Sequence, residues 1–254
     1  MLMIRRILRP AYWKIKRWLS HRGIQVSRGP SLHDYLTTRK IDVVLDIGAN
    51  EGQFGRELRN WGYSGKIVSF EPVSHAYEAL LRTSAADDRW EARRLAVGEH
   101  AGTITINVSA NSVFSSALSL SPTGHNFSPS TRVVRRETVE IIRVDDFYNE
   151  FAGKRVFLKV DTQGSEHAVI LGAAKSISEL AGIQLELPIE NLYSDAWGLT
   201  DALNEMDRLG FVPAQICPVN SLRGDRASAI EFDCIFRPKN SFNSDLKKDA
   251  NNLN

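Results

Sequence analysis

The chain has 254 residues, 43% hydrophobic and 24% charged, which supplies apolar material for one sizeable core and falls short of the usual two-domain length. Its net charge is +2, but the first 30 residues hold eight Lys/Arg and no acid, leaving the remainder near −6. An acidic body disfavours a nucleic-acid partner, and no apolar run is long enough for a signal peptide or a membrane span.

Pro10 can open a helix in which Ala11, Tyr12, Ile15, Trp18 and Leu19 share a face while Lys14, Lys16 and Arg17 lie elsewhere. Residues 1–30 therefore read as a basic amphipathic segment. It either packs on the domain or, through residues 4–19, touches an anionic inner membrane surface; a transit peptide is a further option. Residues 31–238 are expected to form the folded domain, in a cytoplasmic protein, and residues 239–254 a disordered polar tail.

Ile41–Ile47 is a short β-branched run ending in Gly48-Ala49-Asn50-Glu51-Gly52, with a helical stretch from Gln53 to Asn60 behind it. Lys66–Phe70 is a second strand ending at Glu71-Pro72, Ser74 can cap a helix to about Arg82, and Trp90–Val97 reads as a third strand. Thr103–Val108 and Thr138–Val144 are further strand candidates. Between them Ser109–Ser130 holds eight serines and two prolines, and should be mobile. Val156–Val160 resumes the buried-strand pattern, Gly164–Lys175 looks helical, and Ile183–Leu187 is another strand. A helix from about Thr200 to Leu209 stops at Gly210. Phe211–Ile216 and Ala229–Phe236 can form an antiparallel pair at the sheet edge. Cys217 and Cys234 lack neighbours for a zinc site and are expected to be reduced core thiols. The alternation predicts an α/β fold: a doubly wound, mostly parallel, Rossmann-like sheet ending in that antiparallel pair.

Asp46–Gly52 sits where the first strand meets the first helix, where glycine permits a tight turn and close approach of a ligand. Glu71 ends the next strand beside it, placed to accept hydrogen bonds from both hydroxyls of a ribose. The turn is G-x-x-x-G with an acidic Glu51, which serves a pyrophosphate poorly. S-adenosylmethionine, with an amino group and a sulfonium and no phosphate, suits Asp46 and the acidic turn better. An NAD-linked oxidoreductase and a non-catalytic cofactor-binding scaffold are the alternatives.

These segments resemble the FkbM family of methyltransferases, through Val44–Gly52 (VLDIGANEG), Phe70-Glu71-Pro72, Val144-Asp145-Asp146-Phe147 and Leu158–Gly172 (LKVDTQGSEHAVILG). The motifs cover about residues 41 to 236 in the family's order. The resemblance implies a class I methyltransferase fold and O-methylation of polyketides, sugars or glycan-related acceptors. It places Gly48, Asn50 and Gly52 at the methionine part of S-adenosylmethionine, Glu71 at the ribose, and Ala96 and Val97 at the adenine, with Ala49 and Pro72 among the cofactor contacts. Leu158–Gly164 would border the transfer site. Thr162-Gln163 departs from the family pattern, in which a carboxylate often precedes Gly164.

The carboxyl ends of the strands Val156–Val160 and Ile183–Leu187 select Asp161 and Glu186 as catalytic carboxylates. Lys159 shares a face with Asp161 and is expected to pair with Asp161 or Glu186. Asp161 would orient or deprotonate the acceptor hydroxyl, with Glu186 or Glu190 assisting; a divalent metal that acidifies the alcohol is the less favoured version. Asn111, Ser115, Ser116, Gln163 and Glu190 are the candidate acceptor contacts. His75, His125 and His167 are read as caps or surface groups.

Overall fold

The computed structural model describes residue 18, residues 30–221 and residues 227–241. The chain divides into two compact units, residues 1–31 and residues 32–254. Apart from Trp18, which is helical and exposed, the basic helix expected in the first unit lies outside the described residues, as does the tail beyond Ser241. The start of that expected tail is tied down: Lys239 donates to the Asp207 carbonyl at 2.7 Å and pairs with its carboxylate at 2.8 Å.

The second unit opens with α1 (Leu32–Thr38), β1 (Val43–Ile47), α2 (Gln53–Asn60), β2 (Lys66–Phe70), α3 (Ser74–Ser84) and β3 (Trp90–Arg93). Then come β4 (Ala96–Val97), β5 (Gly102–Ser109), α4 (Pro122–Phe127), β6 (Val133–Ile142) and α5 (Val144–Phe147). The chain ends in β7 (Val156–Val160), α6 (Glu166–Leu171), β8 (Gly182–Pro188), α7 (Leu199–Arg208), β9 (Phe211–Ser221) and β10 (Ala229–Pro238).

Seven strands form one sheet in the order β3-β2-β1-β7-β8-β10-β9. It is parallel from β3 to β8, and β10 runs antiparallel to both β8 and β9. Every residue of β1 (VVLDI) and β7 (VFLKV) is buried, as the near-continuous apolar runs require of strands covered on both faces. On one face Val44, Ile67 and Phe157 pack with Tyr35, Leu58 and Leu80 of α1, α2 and α3. On the other, Leu45 and Leu158 pack with Val169 of α6 and Met206 of α7. The doubly wound architecture is therefore present, with the antiparallel pair at its edge.

Four local readings need correction. The expected strand Trp90–Val97 breaks after Arg93, because Ala96 and Val97 pair instead with Ile141 and Ile142 in a second, three-stranded sheet of order β4-β6-β5. Ser74 is the first residue of α3 and does not cap it; its N–H and hydroxyl both donate to Glu137 of β6 at 2.9 Å. The helix expected over Gly164–Lys175 is confined to α6, since Gly164 has φ +102° and turns follow Leu171. Cys234 is buried, but Cys217 is exposed on the edge strand β9.

The serine-rich stretch departs furthest from expectation. It forms 3-10 turns at Ser112–Phe114 and Pro129–Thr131 with α4 between them, and its polar side chains supply the caps: Asn111, Ser121 and Ser128 accept from the N–H of Val113, Gly124 and Ser130. Ser109, Ser116 and Thr131 are buried, and Ser121 N–H donates to Leu192 O at 2.9 Å. Serines that serve as caps and cross-links hold in place a segment that has little apolar surface to bury.

Candidate active site

The strand order reverses between β1 and β7, and in an open α/β sheet the crevice at the carboxyl ends of such a pair is where a ligand fits. A cavity of about 530 Å³ lies there. Gly48, Ala49 and Asn50 form one wall, with Glu71 and Pro72 beside them and Leu95, Ala96, Val97, Ile104, Ile106 and Ile141 making an apolar slot. The N–H groups of Gly48 and Ala49 both donate to Phe70 O at 3.0 Å, so they are not offered to a phosphate.

Glu71 is 6% exposed, and its two oxygens accept from the N–H of Asn50 at 2.8 Å and of Val73 at 2.9 Å. Burial outweighs these bonds and pushes its carboxyl up to about 7. Asn50 has φ +47°, a left-handed conformation that Asn tolerates, and its Oδ1 accepts from the Ser112 hydroxyl at 3.0 Å. Each carboxylate oxygen has a second lone pair, so Glu71 retains acceptor capacity for a ribose. With the apolar slot alongside, the residues present fit S-adenosylmethionine.

The opposite wall is polar. Lys159 Nζ lies 3.2 Å from Asp46 and 3.3 Å from Asp161. Burial works against its charge, but Asp161 and Asp46 together hold its pKa above the usual value. Burial also opposes ionisation of Asp161, yet Lys159 and the Gln163 amide pull its carboxyl below the ordinary range. Gln163, at φ +56°, donates from Nε2 to Asp161 and to Glu186, both at 3.0 Å, and its Oε1 accepts from the Tyr193 hydroxyl at 3.0 Å. Burial, and then the charge of Asp161, push Glu186 up to about 11. The surroundings thus favour the ionised form of Asp161 and the protonated form of Glu186, with one amide shared between them. Among the described residues no group of three His, Cys, Asp or Glu is arranged to hold a metal ion.

The model of the methyltransferase FkbM domain matches residues 46–213. The chain belongs to this family. It is a methyltransferase, which sets aside the nicotinamide alternative. The structure is similar to an rRNA methylase from Streptococcus thermophilus, with 10% identity, 81% of this chain and 93% of that one covered, and a TM-score of 0.44. It is also similar to a precorrin-6y C5,15-methyltransferase from Geobacter metallireducens, with 13% identity, coverage of 80% and 85%, and a TM-score of 0.42. Among curated proteins, none matches the sequence.

In this FkbM domain several expected contacts fall elsewhere. Asp46 is fully buried and does not line the cavity; it accepts from Ser69 at 3.0 Å and faces Lys159, so it is the inner partner of an ion pair. Gly52, at φ +84°, is also off the cavity, and a β-carbon there would meet Leu80, Thr83 and Trp90 within 3.1 Å. Asn111 caps its own turn, and Glu190 is exposed beyond the end of β8; neither lines the cavity. Ser115 and Ser116 do line it, although Ser115 accepts from Ser109 N–H and Ser116 donates to Gln163 O at 2.6 Å. His167 stacks on Trp197 with ring centroids 4.4 Å apart, and His75 sits 2.9 Å from Arg135.

Other residues of the site were not singled out from sequence. Glu166 accepts from Thr162 N–H at 2.8 Å, Thr162 Oγ1 at 3.1 Å and Gly164 N–H at 3.2 Å, fixing the loop that carries Gln163. An acid in the first turn of a helix just after Gly164-Ser165 was the available signal. Gln184, Glu231 and Asp233 also line the cavity.

Proposed function

We propose that this methyltransferase transfers the methyl group of S-adenosylmethionine to a hydroxyl of a sugar, glycan precursor or related natural product. The carrying observation is a single cavity with Asn50, Glu71 and an apolar slot at one end and the Asp161–Gln163–Glu186 cluster at the other. When bound, the cofactor supplies a methyl group activated by a positively charged sulfur.

The rest falls to residues of the chain. Glu71 accepts from the ribose hydroxyls, and the slot around Ala96, Val97 and Ile141 takes the adenine ring. Asp161 keeps about a third of its side chain exposed, so it can accept a hydrogen bond from the acceptor hydroxyl and take its proton as the oxygen is alkylated. Lys159 and Gln163 hold that carboxylate in one orientation, and the protonated Glu186 leaves the second carboxyl uncharged beside it. The serine-rich segment roofs the cavity with Ser112, Phe114 and Ser116 and keeps water off the reacting atoms.

Titration of the full-length protein with S-adenosylhomocysteine and separately with NAD tests the cofactor. Binding of S-adenosylhomocysteine is expected; binding of NAD alone would sink the reading.

A further inference from the structure

The acceptor end of the cavity has a chemical bias. Gln184 and Glu186 alternate onto one face of β8, and Asp233 pairs in register with Glu186 on β10, with Glu231 two residues away on the same side. All four line the cavity. The only cation lining it among the described residues is Lys159, which already serves Asp46 and Asp161. The donors at this end are also engaged: Gln163 Nε2 by Asp161 and Glu186, and Asn220 Nδ2 by Glu231 at 2.6 Å.

Gln184 supplies a second, independent observation. It is 6% exposed, and its Oε1 has no hydrogen-bond partner among the described residues. A buried acceptor left unmade is costly, so this position calls for a donor from a ligand. Apart from the protonated Glu186, the side chains of this wall offer mainly acceptors. A hydroxyl brings acceptor lone pairs as well as a proton, whereas an ammonium is donor-only and carries the opposite charge.

We infer that the acceptor carries a protonated amine near its hydroxyls, held by the carboxylates of Glu231 and Asp233, with Gln184 Oε1 and the carbonyl oxygen of protonated Glu186 taking N–H groups; this rests on the reading of the cavity as a methyl-transfer site. The amine need not be the methylated atom, because the cluster lies beyond Asp161, toward the sheet edge formed by β10 and β9. Burial holds all three carboxyls above their usual range, and the charges of Asp161, Glu231 and Asp233 add to this for Glu186. An entering cation would relieve that repulsion. A phosphate or uronate in the same place would add to it.

The test is binding to the full-length protein, with and without S-adenosylhomocysteine, of D-glucosamine, D-glucose, N-acetyl-D-glucosamine and D-glucuronate by ligand-observed NMR competition. D-glucosamine is expected to bind about ten-fold more tightly than D-glucose, with D-glucuronate weakest. Asp233→Asn and Glu231→Gln, each checked for folding by circular dichroism, should shrink the preference. Equal binding of the four, binding of none, or a preference untouched by both substitutions would overturn the proposal. Failure of S-adenosylhomocysteine to bind would instead count against the cofactor reading, and the amine preference would still be measured without it.

Discussion

Gly48 and Asp161 approach so closely that a β-carbon on Gly48 would lie 1.9 Å from the Asp161 carbonyl oxygen. The turn after β1 and the end of β7 are thus in backbone contact, and Gly48 also has φ +78°. Gly48→Ala should therefore destabilise the fold by at least ~2 kcal/mol through clash and backbone strain together. Chemical denaturation checks this; unchanged stability would show that the two segments can separate without cost.

Glu71 gives a pH dependence with a definite sign. Its carboxyl is pushed up to about 7, and ribose hydroxyls donate best to the ionised form. Affinity for S-adenosylhomocysteine should rise as pH climbs through about 7, then level off. Glu71→Gln removes the titration, and should weaken binding about ten-fold at pH 8 and flatten the profile. Calorimetric titration across pH 6–8.5 reads both effects.

Asp161→Asn preserves shape and removes the charge that orients the acceptor and takes its proton. Turnover should fall about 10²-fold or more, with cofactor affinity nearly intact. Near-normal turnover would remove Asp161 from the mechanism. Activity unaffected by a chelator would remove the metal-assisted version.

Lys159→Met leaves Asp46, fully buried, without its charge partner. A loss of about 3–5 kcal/mol is expected, because the cost of an uncompensated buried charge exceeds that of the pair. The double variant Lys159→Met, Asp46→Leu should recover much of it, and thermal unfolding of the two variants decides the matter.

Glu166 is pushed by burial up to about 7, against an ordinary value of 4.5. A raised folded-state pKa contributes stability that is complete below 4.5 and is lost as pH rises through 7. Glu166→Gln keeps the Oε1 acceptor for Thr162 and Gly164 and cannot ionise. Its Tm relative to the parent should improve as pH goes from 4.5 to 8; a constant difference would rule out titration of this group.

Much of the central sheet was legible because β1, β2 and β7 are almost wholly buried and their sequences are mostly apolar, with many β-branched residues. Glu71 was legible because the end of β2 lies beside the turn after β1 in any sheet of this winding. The small β4-β6-β5 sheet was hidden, since Ala96 and Ile141 pair across a long stretch of intervening chain that local periodicity does not register. Asp46 and Gly52 show the opposite failure: an acid in a strand and a glycine in a turn signal a ligand, yet Lys159 and Trp90 produce the same signal by packing. Glu190 was named beside Glu186 as an assisting carboxylate, but Pro188 ends the strand between them, and of the two only Glu186 reaches the cavity. Gln184, Glu231 and Asp233 depended on the register of β8 with β10, which sequence alone does not set.

The roof of the cavity is carried by one continuous stretch, from β5 through α4 to β6, whose strand ladders lie in its own small sheet with β4 and which is tied to the segment after β8 by a bridge between Leu120 and Tyr193. None of the seven strands of the main sheet is drawn from it. Insertions, deletions or substitutions in residues 109–131 can therefore change what enters the cavity while the strand order of the main sheet is kept, provided Ser112 still reaches Asn50 at the cofactor end.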